Sequence, residues 1–399
     1  MARTRATSAP QMLSHRSLHV GIEATPLRAF RTGGVWRYTQ ALVEALARSK
    51  DGYRYSLLFF NSFIPGARYR PAFPPGATVR IVNRVPNLLF GLSALWPFLA
   101  RAVSVESFLG PVDCFHSVNG VALPQRGGRR VVTVHDLSCL RVPEYHPRSR
   151  VLHFRLSLTR SVRAAHALIV PSRQTRDDLR DLLGVPPEKI WVVPYAPATV
   201  FRPRSGREIA PVLDRYGLTD KGYLLFVGNL EPRKNLLTLL RAYELLHERG
   251  DTPPPLVLVG GEGWRNRAIL ARLNASPCAA AIRRLGYLAE SEIPALTSGA
   301  ACVAYPSLYE GFGLPPLEAM ASGVPVVVSD IPALREVVGD AALVVDPKHP
   351  EQIAEALGRI LGDKDLQQTL GALGLERARQ FSWELTAQRT VEVYEAVTR

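Results

Sequence analysis

Short apolar runs alternate with helix-length stretches twice along this chain, and that double alternation restricts the fold more than any other feature. In the first pass the runs are Leu18–Ile22, Tyr55–Phe60, Val79–Val82, Val131–Val134, Ala167–Val170 and Ile190–Val193, with helical stretches such as Thr39–Ala47 and Arg155–Ala165 among them. The second pass runs through Tyr223–Val227, Leu256–Val259, Ile282–Leu285, Ala301–Tyr305, Pro325–Ser329 and Ala342–Val345. Strands alternating with helices build parallel, doubly wound sheets. Two such sheets in one chain imply a cleft, and ligands of such sheets bind beyond the carboxyl ends of the strands. Pro194–Asp214, with Pro197, Pro203 and Pro211, loses both periodicities and reads as the linker. Near the end, Trp383, Ala387, Val391 and Tyr394 share one helical face.

A chain of 399 residues exceeds one comfortable core, and an apolar fraction of 47% supports full folding. The cysteines, Cys114, Cys139, Cys278 and Cys302, are widely spaced and form no Cys-x-x-Cys pair, so they read as reduced thiols of a cytoplasmic protein. Residues 1–16 are polar and basic without an apolar core, the pattern of a flexible arm rather than a signal peptide. Leu88–Ala100 is too short to span a bilayer and contains Pro97; with Trp96, Phe98 and the following Arg101 it reads as an amphipathic surface element or as a core helix. Charge is divided unevenly. Residues 1–204 hold 29 Lys and Arg against 11 Asp and Glu, a net +18, whereas residues 205–399 hold 20 against 24, a net −4. So basic a first half attracts anionic surfaces such as lipid headgroups, or it is a solvated arginine-rich face. Nucleic acid is disfavoured, because the basic residues are dispersed and no reading module is recognisable.

The densest motif is Tyr305-Pro-Ser-Leu-Tyr-Glu-Gly-Phe-Gly-Leu-Pro-Pro-Leu-Glu-Ala-Met-Ala-Ser-Gly-Val-Pro325. Its start is a buried strand, Gly311 and Gly313 allow close approach of backbone to a ligand, and Pro315 and Pro316 suit the first turn of a helix. A helix start favours an anion such as a phosphate, and Glu318, read as lying in the first turn, is placed to bond ligand hydroxyls. Three further motifs follow strands: Arg31-Thr-Gly-Gly-Val-Trp-Arg-Tyr38, Thr133-Val-His-Asp-Leu137 and Phe226-Val-Gly-Asn-Leu-Glu-Pro-Arg-Lys-Asn-Leu236.

These four segments, in this order, resemble the retaining GT-B glycosyltransferases of family 4, and the resemblance runs from Gly21 to the C-terminus. It implies an α/β GT-B fold of two Rossmann-like domains facing across a cleft. The expected parts are the arm 1–16, an acceptor-binding domain 17–203, a nucleotide-sugar-binding domain 204–381, and a C-terminal helix 382–399 crossing back to the first domain. It implies that His135 and Glu310 contact the transferred sugar and that Lys234, with Arg233, supports the leaving diphosphate. Arg233 and Lys234 beside a helix start read as a positive pocket. Gly33, Gly34, Gly311, Phe312, Gly313 and Leu314 match donor-contacting backbone, and Glu318 matches the ribose ligand. Tyr287 and Leu288 are candidates for the base pocket, and Asp136 for orienting its neighbours. Asn229 departs from the pattern, which often has arginine there, and Tyr195 departs from a common Pro-Asn-Gly.

The activity implied is transfer of a hexosyl unit, mannose favoured, from a nucleotide sugar such as GDP-mannose, with retention. The expected acceptor is a saccharide or polyprenyl-linked sugar of bacterial O-antigen or exopolysaccharide assembly. No Asp-x-Asp motif marks the candidate sites, so no cofactor and no metal is expected. Peripheral contact of the basic first domain with the inner face of an anionic membrane is part of the same reading. A sugar-nucleotide epimerase or hydrolase of the same fold, or a non-catalytic polyanion-binding protein, are the alternatives.

Overall fold

The computed structural model describes residues 17–29, 33–49, 52–61, 79–86, 104–250 and 252–399. The arm 1–16, Arg31, Thr32 and Leu88–Ala100 lie outside the described residues. The first sheet contains β1 His19–Glu23, β2 Arg54–Asn61, β3 Val79–Pro86, β4 Cys114–Ser117, β5 Arg129–Thr133, β6 Ala167–Val170 and β7 Ile190–Val192, in the order β3-β2-β1-β4-β5-β6-β7. The second contains β8 Leu224–Val227, β9 Leu256–Val259, β10 Ile282–Gly286, β11 Cys302–Tyr305, β12 Val326–Ser329 and β13 Leu343–Val345, in the order β10-β9-β8-β11-β12-β13. Every strand pair described is parallel. In each sheet the winding reverses beside the first strand, at β1/β4 and at β8/β11, and that reversal opens a crevice at the carboxyl ends.

The apolar runs become strands because helices cover the faces of each sheet, and central strands such as β1, β6, β9, β11 and β12 are buried at every residue. One strand has no apolar run to announce it. Cys114-Phe-His-Ser117 is nonetheless fully buried, because His116 is satisfied on both ring nitrogens, by the Tyr394 hydroxyl at 2.7 Å and by Thr133 Oγ1 at 2.7 Å.

The stretch read as linker is shorter in the structure, since Gly206–Arg215 forms a helix despite Pro211. A capping box starts it: the Ser205 amide donates to Glu208 Oε2 at 2.9 Å, and the buried Ile209 and Leu213 anchor its inner face. The last helix, Trp383–Thr398, packs on the helix Gly34–Arg48 and on the first sheet. Thr386 Oγ1 donates to the Pro194 carbonyl at 2.8 Å, and the Tyr53 hydroxyl donates to Glu395 Oε1 at 2.8 Å. One continuous apolar cluster therefore includes both sheets, with Tyr195, Phe312 and Trp383 among its members.

All four cysteines are free thiols, three of them buried. Among the described residues no helix is long and apolar enough to cross a membrane.

Candidate active site

The loop after β11 brings Glu310 to the carboxyl edge of the second sheet, and the loop after β8 brings Arg233 and Lys234 to the same place. Lys234 Nζ donates to Glu310 Oε1 at 2.6 Å, and Arg233 Nη1 donates to Glu310 Oε2 at 3.0 Å. Arg233 also donates through Nη2 to Glu231 Oε1 at 2.7 Å and through Nη1 to the Tyr309 carbonyl at 2.8 Å. Lys234 Nζ donates to the Tyr305 hydroxyl at 2.5 Å and lies 4.8 Å from that ring's centroid. All three side chains are about nine-tenths buried. Burial alone would push the Glu310 carboxyl up, but Lys234 and Arg233 outweigh it and hold it down at about 2. Burial lowers the Lys234 ammonium, with Glu310 opposing the shift. The expected positive pocket is thus an ion-paired cluster, in which Glu231 and Glu310 balance the two cations.

The first domain meets this cluster at Gly311. A Cβ on Gly311 would fall 2.0 Å from the His135 carbonyl oxygen and 2.8 Å from Asp136 Cβ. Only glycine fits, and the close approach it serves is to the facing backbone. The Gly311 carbonyl accepts from Ser172 Oγ at 2.6 Å, and the Tyr309 hydroxyl donates to Asp178 Oδ2 at 2.6 Å. Gly313, at φ +122°, caps the helix Leu314–Ala321, whose second and third residues are Pro315 and Pro316. Phe312 is buried as a wall of the seam, 5.3 Å from the Tyr195 ring and 6.0 Å from Phe381.

His135 stands at the end of β5 with both ring nitrogens engaged. Nε2 lies 2.7 Å from the Val118 carbonyl, which can only accept, so Nε2 carries the proton and Nδ1 accepts from the Tyr195 hydroxyl at 2.6 Å. Burial lowers the ring to about 4, so it is neutral. Asp136 accepts from the Ser138 amide at 2.9 Å and hydroxyl at 2.7 Å; burial opposes its ionisation, but Arg233 and these bonds hold the carboxyl below its ordinary value. Asp136 therefore braces its own turn.

Glu318 is the fifth residue of its helix and so sits in the second turn, not the first. Its carboxylate accepts from Arg37 Nη1 at 2.8 and 3.0 Å, while Arg37 Nε donates to Glu290 Oε2 at 2.9 Å. Burial pushes the Glu318 carboxyl up to about 7, with Arg37 opposing. Arg37 belongs to the helix Gly34–Arg48, whose N-cap Gly33 has φ +99° and makes no side-chain cap. Around Gly33 and Gly34 no described atom comes within 4 Å of a would-be Cβ. Leu288 is buried, while Tyr287 is 59% exposed above the second sheet's edge.

Four contributors were not singled out from sequence. Arg37 lies inside a quoted motif, but only the glycines of that motif were read. Glu290 and Glu231 are acidic residues in loops after strands, without a spacing to mark them. Glu23 ends β1 at the switch point of the first sheet; burial pushes it up to about 8, and its Oε2 has no hydrogen-bond partner among the described residues. A carboxylate closing an apolar strand was a readable signal. A second seam lies nearby, where Trp264 Nε1 donates to the Tyr145 carbonyl at 2.8 Å and the Arg150 guanidinium lies 4.2 Å from the Trp264 ring centroid. Among the described residues no group of three or more His, Cys, Asp or Glu is arranged to hold a metal ion.

Two doubly wound parallel sheets with their switch-point crevices facing one another form the GT-B architecture of glycosyltransferases. The sequence profile of the glycosyltransferase family 4 domain matches residues 32–196, and that of glycosyl transferases group 1 matches residues 214–377. The chain is 36% identical to the O-antigen chain mannosyltransferase B of Escherichia coli, over 90% of this chain and 95% of that one. The fold resembles sucrose-phosphate synthase of Thermosynechococcus elongatus, with TM-score 0.74, 22% identity, and 96% of this chain and 99% of that one covered. It also resembles HepE of Anabaena in complex with UDP and glucose, with TM-score 0.68, 19% identity, and 96% and 100% covered. This chain belongs to glycosyltransferase family 4.

Proposed function

We propose that this protein transfers a mannosyl unit from a nucleotide sugar, GDP-mannose in the first instance, to a saccharide or polyprenyl-linked acceptor of a bacterial surface polysaccharide, with retention at the anomeric carbon. The observation that carries the reading is the buried Glu310–Lys234–Arg233 cluster at the switch point of the second sheet, opposite His135. The mannosyl choice leans on the likeness to the O-antigen chain mannosyltransferase.

In the reaction the bond from the anomeric carbon to the diphosphate oxygen breaks as the acceptor oxygen bonds to the same face. The acceptor proton passes to the departing phosphate oxygen. Negative charge grows on the diphosphate during this step, and a preorganised, buried cation pair stabilises it without a metal. Glu310, held ionised by Lys234 and Arg233, faces the positive charge that develops at the anomeric carbon. His135, neutral and fixed by Tyr195 and Val118, supplies a rigid wall and a dipole rather than a mobile proton. The first domain receives the acceptor, and its net +18 favours a substrate presented on an anionic membrane.

A thermal-shift panel tests the donor, because a ligand of the folded state raises apparent stability. GDP and GDP-mannose should raise Tm more than UDP and its sugars. Transfer of labelled mannose should then persist in EDTA and yield the α-product. Consumption of sugar nucleotide with no glycosylated product would support the epimerase or hydrolase reading instead.

A further inference from the structure

The carboxylate expected to hold the donor ribose is occupied by a residue of the opposite domain. Arg37 Nη1 donates to both oxygens of Glu318, and Arg37 is that carboxylate's one partner among the described residues. The same guanidinium pairs with Glu290 at 2.8 Å through Nη2. The Arg37 side chain is 16% exposed and that of Glu318 is 3% exposed, so the pair lies at the cleft edge with the carboxylate innermost.

A diphosphate entering this site would meet cations that are already paired. Arg233 is committed to Glu231 and Glu310, Lys234 to Glu310, and Arg37 to Glu318 and Glu290. In these ion pairs three cations face four carboxylates, with Asp136 a further carboxylate near Arg233, and Asn229 occupies the position where a further arginine is expected. A nucleoside diphosphate adds more negative charge to this group. Its ribose hydroxyls can take over Glu318 as neutral donors, and that exchange releases the Nη1 side of Arg37, whose Nε and Nη2 remain on Glu290.

The released side of the guanidinium is well placed. Arg37 lies in the first turn of a 15-residue helix that begins at Gly34, and its own amide makes the first intrahelical bond, to the Gly33 carbonyl at 3.0 Å. The amides of Gly34, Val35 and Trp36 have no such partner among the described residues and lie at the positive end of the helix dipole. Helix end and guanidinium share one turn, and ribose and diphosphate share one small ligand. A side-chain rotation is enough to carry that side of the fork from carboxylate to phosphate, where its geometry is equally suited.

We propose that Arg37 is a donor-binding residue supplied by the first domain: ribose displaces it from Glu318, and it then pairs with the diphosphate. This rests on the nucleotide-sugar reading of the site. Arg37 thereby makes up for Asn229 and ties donor recognition to the contact between the domains.

Binding of a nucleoside and of its diphosphate by wild type and Arg37→Ala tests the exchange, with guanosine and GDP, or uridine and UDP if UDP gives the larger wild-type shift. In Arg37→Ala the nucleoside should bind more tightly than to wild type, because its competitor for Glu318 is gone. The diphosphate's advantage over the nucleoside should fall by about tenfold or more, the scale of a charge-assisted hydrogen bond. An unchanged advantage overturns the proposal, and so does an advantage that rises, which marks Arg37 as a competitor only. Because Arg37→Ala leaves Glu290 and Glu318 unscreened, the pair Arg37→Ala with Glu290→Gln relieves that repulsion and should show the same fall. Wild type that binds neither diphosphate would fail the donor reading itself, a result separate from both outcomes.

Discussion

Nδ1 of His135 accepts a hydrogen bond from the Tyr195 hydroxyl at 2.6 Å, joining the end of β5 to the segment that leaves the first domain. The Val118 carbonyl sets the tautomer of the site histidine, and the tyrosine that departs from the usual Pro-Asn-Gly fixes its ring by donating to the nitrogen left unprotonated. Its ring also lies between Tyr38, at 4.6 Å, and Phe312, at 5.3 Å, across the seam.

Tyr195→Phe keeps this aromatic packing and removes only the donor. The buried Nδ1 is then left without its partner, a loss of about 1–3 kcal/mol. Urea unfolding should report that loss, and kcat should fall while the donor KM changes little. A variant with wild-type stability and kcat would detach Tyr195 from the site.

Truncation of the ion-paired cluster should cost folding as well as activity. Glu310→Ala leaves Lys234 and half of Arg233 buried without a counter-charge, so a loss of about 3–5 kcal/mol is expected along with most transfer. Lys234→Ala should behave alike. Glu310→Gln keeps the shape and should fold more stably than Glu310→Ala while still losing most transfer. Chemical denaturation and transfer assays on the three proteins separate the two effects; full activity in Glu310→Gln would remove the charge from the mechanism.

Acid should weaken the protein through Glu310. Its carboxyl sits at about 2 in the folded chain against 4.5 without the fold, so the unfolded chain binds the proton first. The stabilisation is present above about pH 4.5 and is lost as pH falls toward 2, on the order of 3 kcal/mol in all. Glu318 acts in the opposite sense, because burial raises it to about 7. Between pH 4.5 and 7 the folded chain keeps a proton that the unfolded chain has released, so stability declines as pH rises through that window. Urea midpoints against pH should show a smaller acid loss in Glu310→Gln and a smaller decline toward neutrality in Glu318→Gln.

Gly311→Ala should separate the domains at their tightest contact. The added methyl meets the His135 carbonyl, a backbone atom with no rotamer to move aside. The clash is confined to the seam and leaves the strands and helices of both sheets in place, so circular dichroism should stay near wild type while transfer falls at least about tenfold, as small misplacements at a catalytic seam allow. Solution scattering should show a larger radius of gyration; an unchanged radius with full activity would show that the seam yields cheaply.

Eleven of the strands sit on apolar runs, and for the central ones the reason is that strands buried on both faces carry their pattern in consecutive residues. β3 shares its start with such a run. β4 escaped because its burial depends on one polar side chain, His116, finding two partners outside the strand, Tyr394 and Thr133, which no local window contains. The helix Gly206–Arg215 escaped for a related reason: proline density read as a linker, while the capping box and the packing of Ile209 and Leu213 outweighed Pro211.

Glu310, Lys234 and Arg233 were legible as chemistry-bearing residues because each stands in a loop just beyond a strand, and Glu318 was legible from the same motif although it lies one turn further into its helix than expected. Their pairing was not. The sequence by itself determined two doubly wound sheets, the loops at their carboxyl edges and the residue types those loops carry. The tertiary structure alone decided that Glu310 neutralises both cations, that Tyr195 orients His135, and that Arg37 crosses the cleft to Glu318. Short-range periodicity encodes which backbone each segment adopts, whereas an ion pair between residues 281 apart depends on how two finished domains meet.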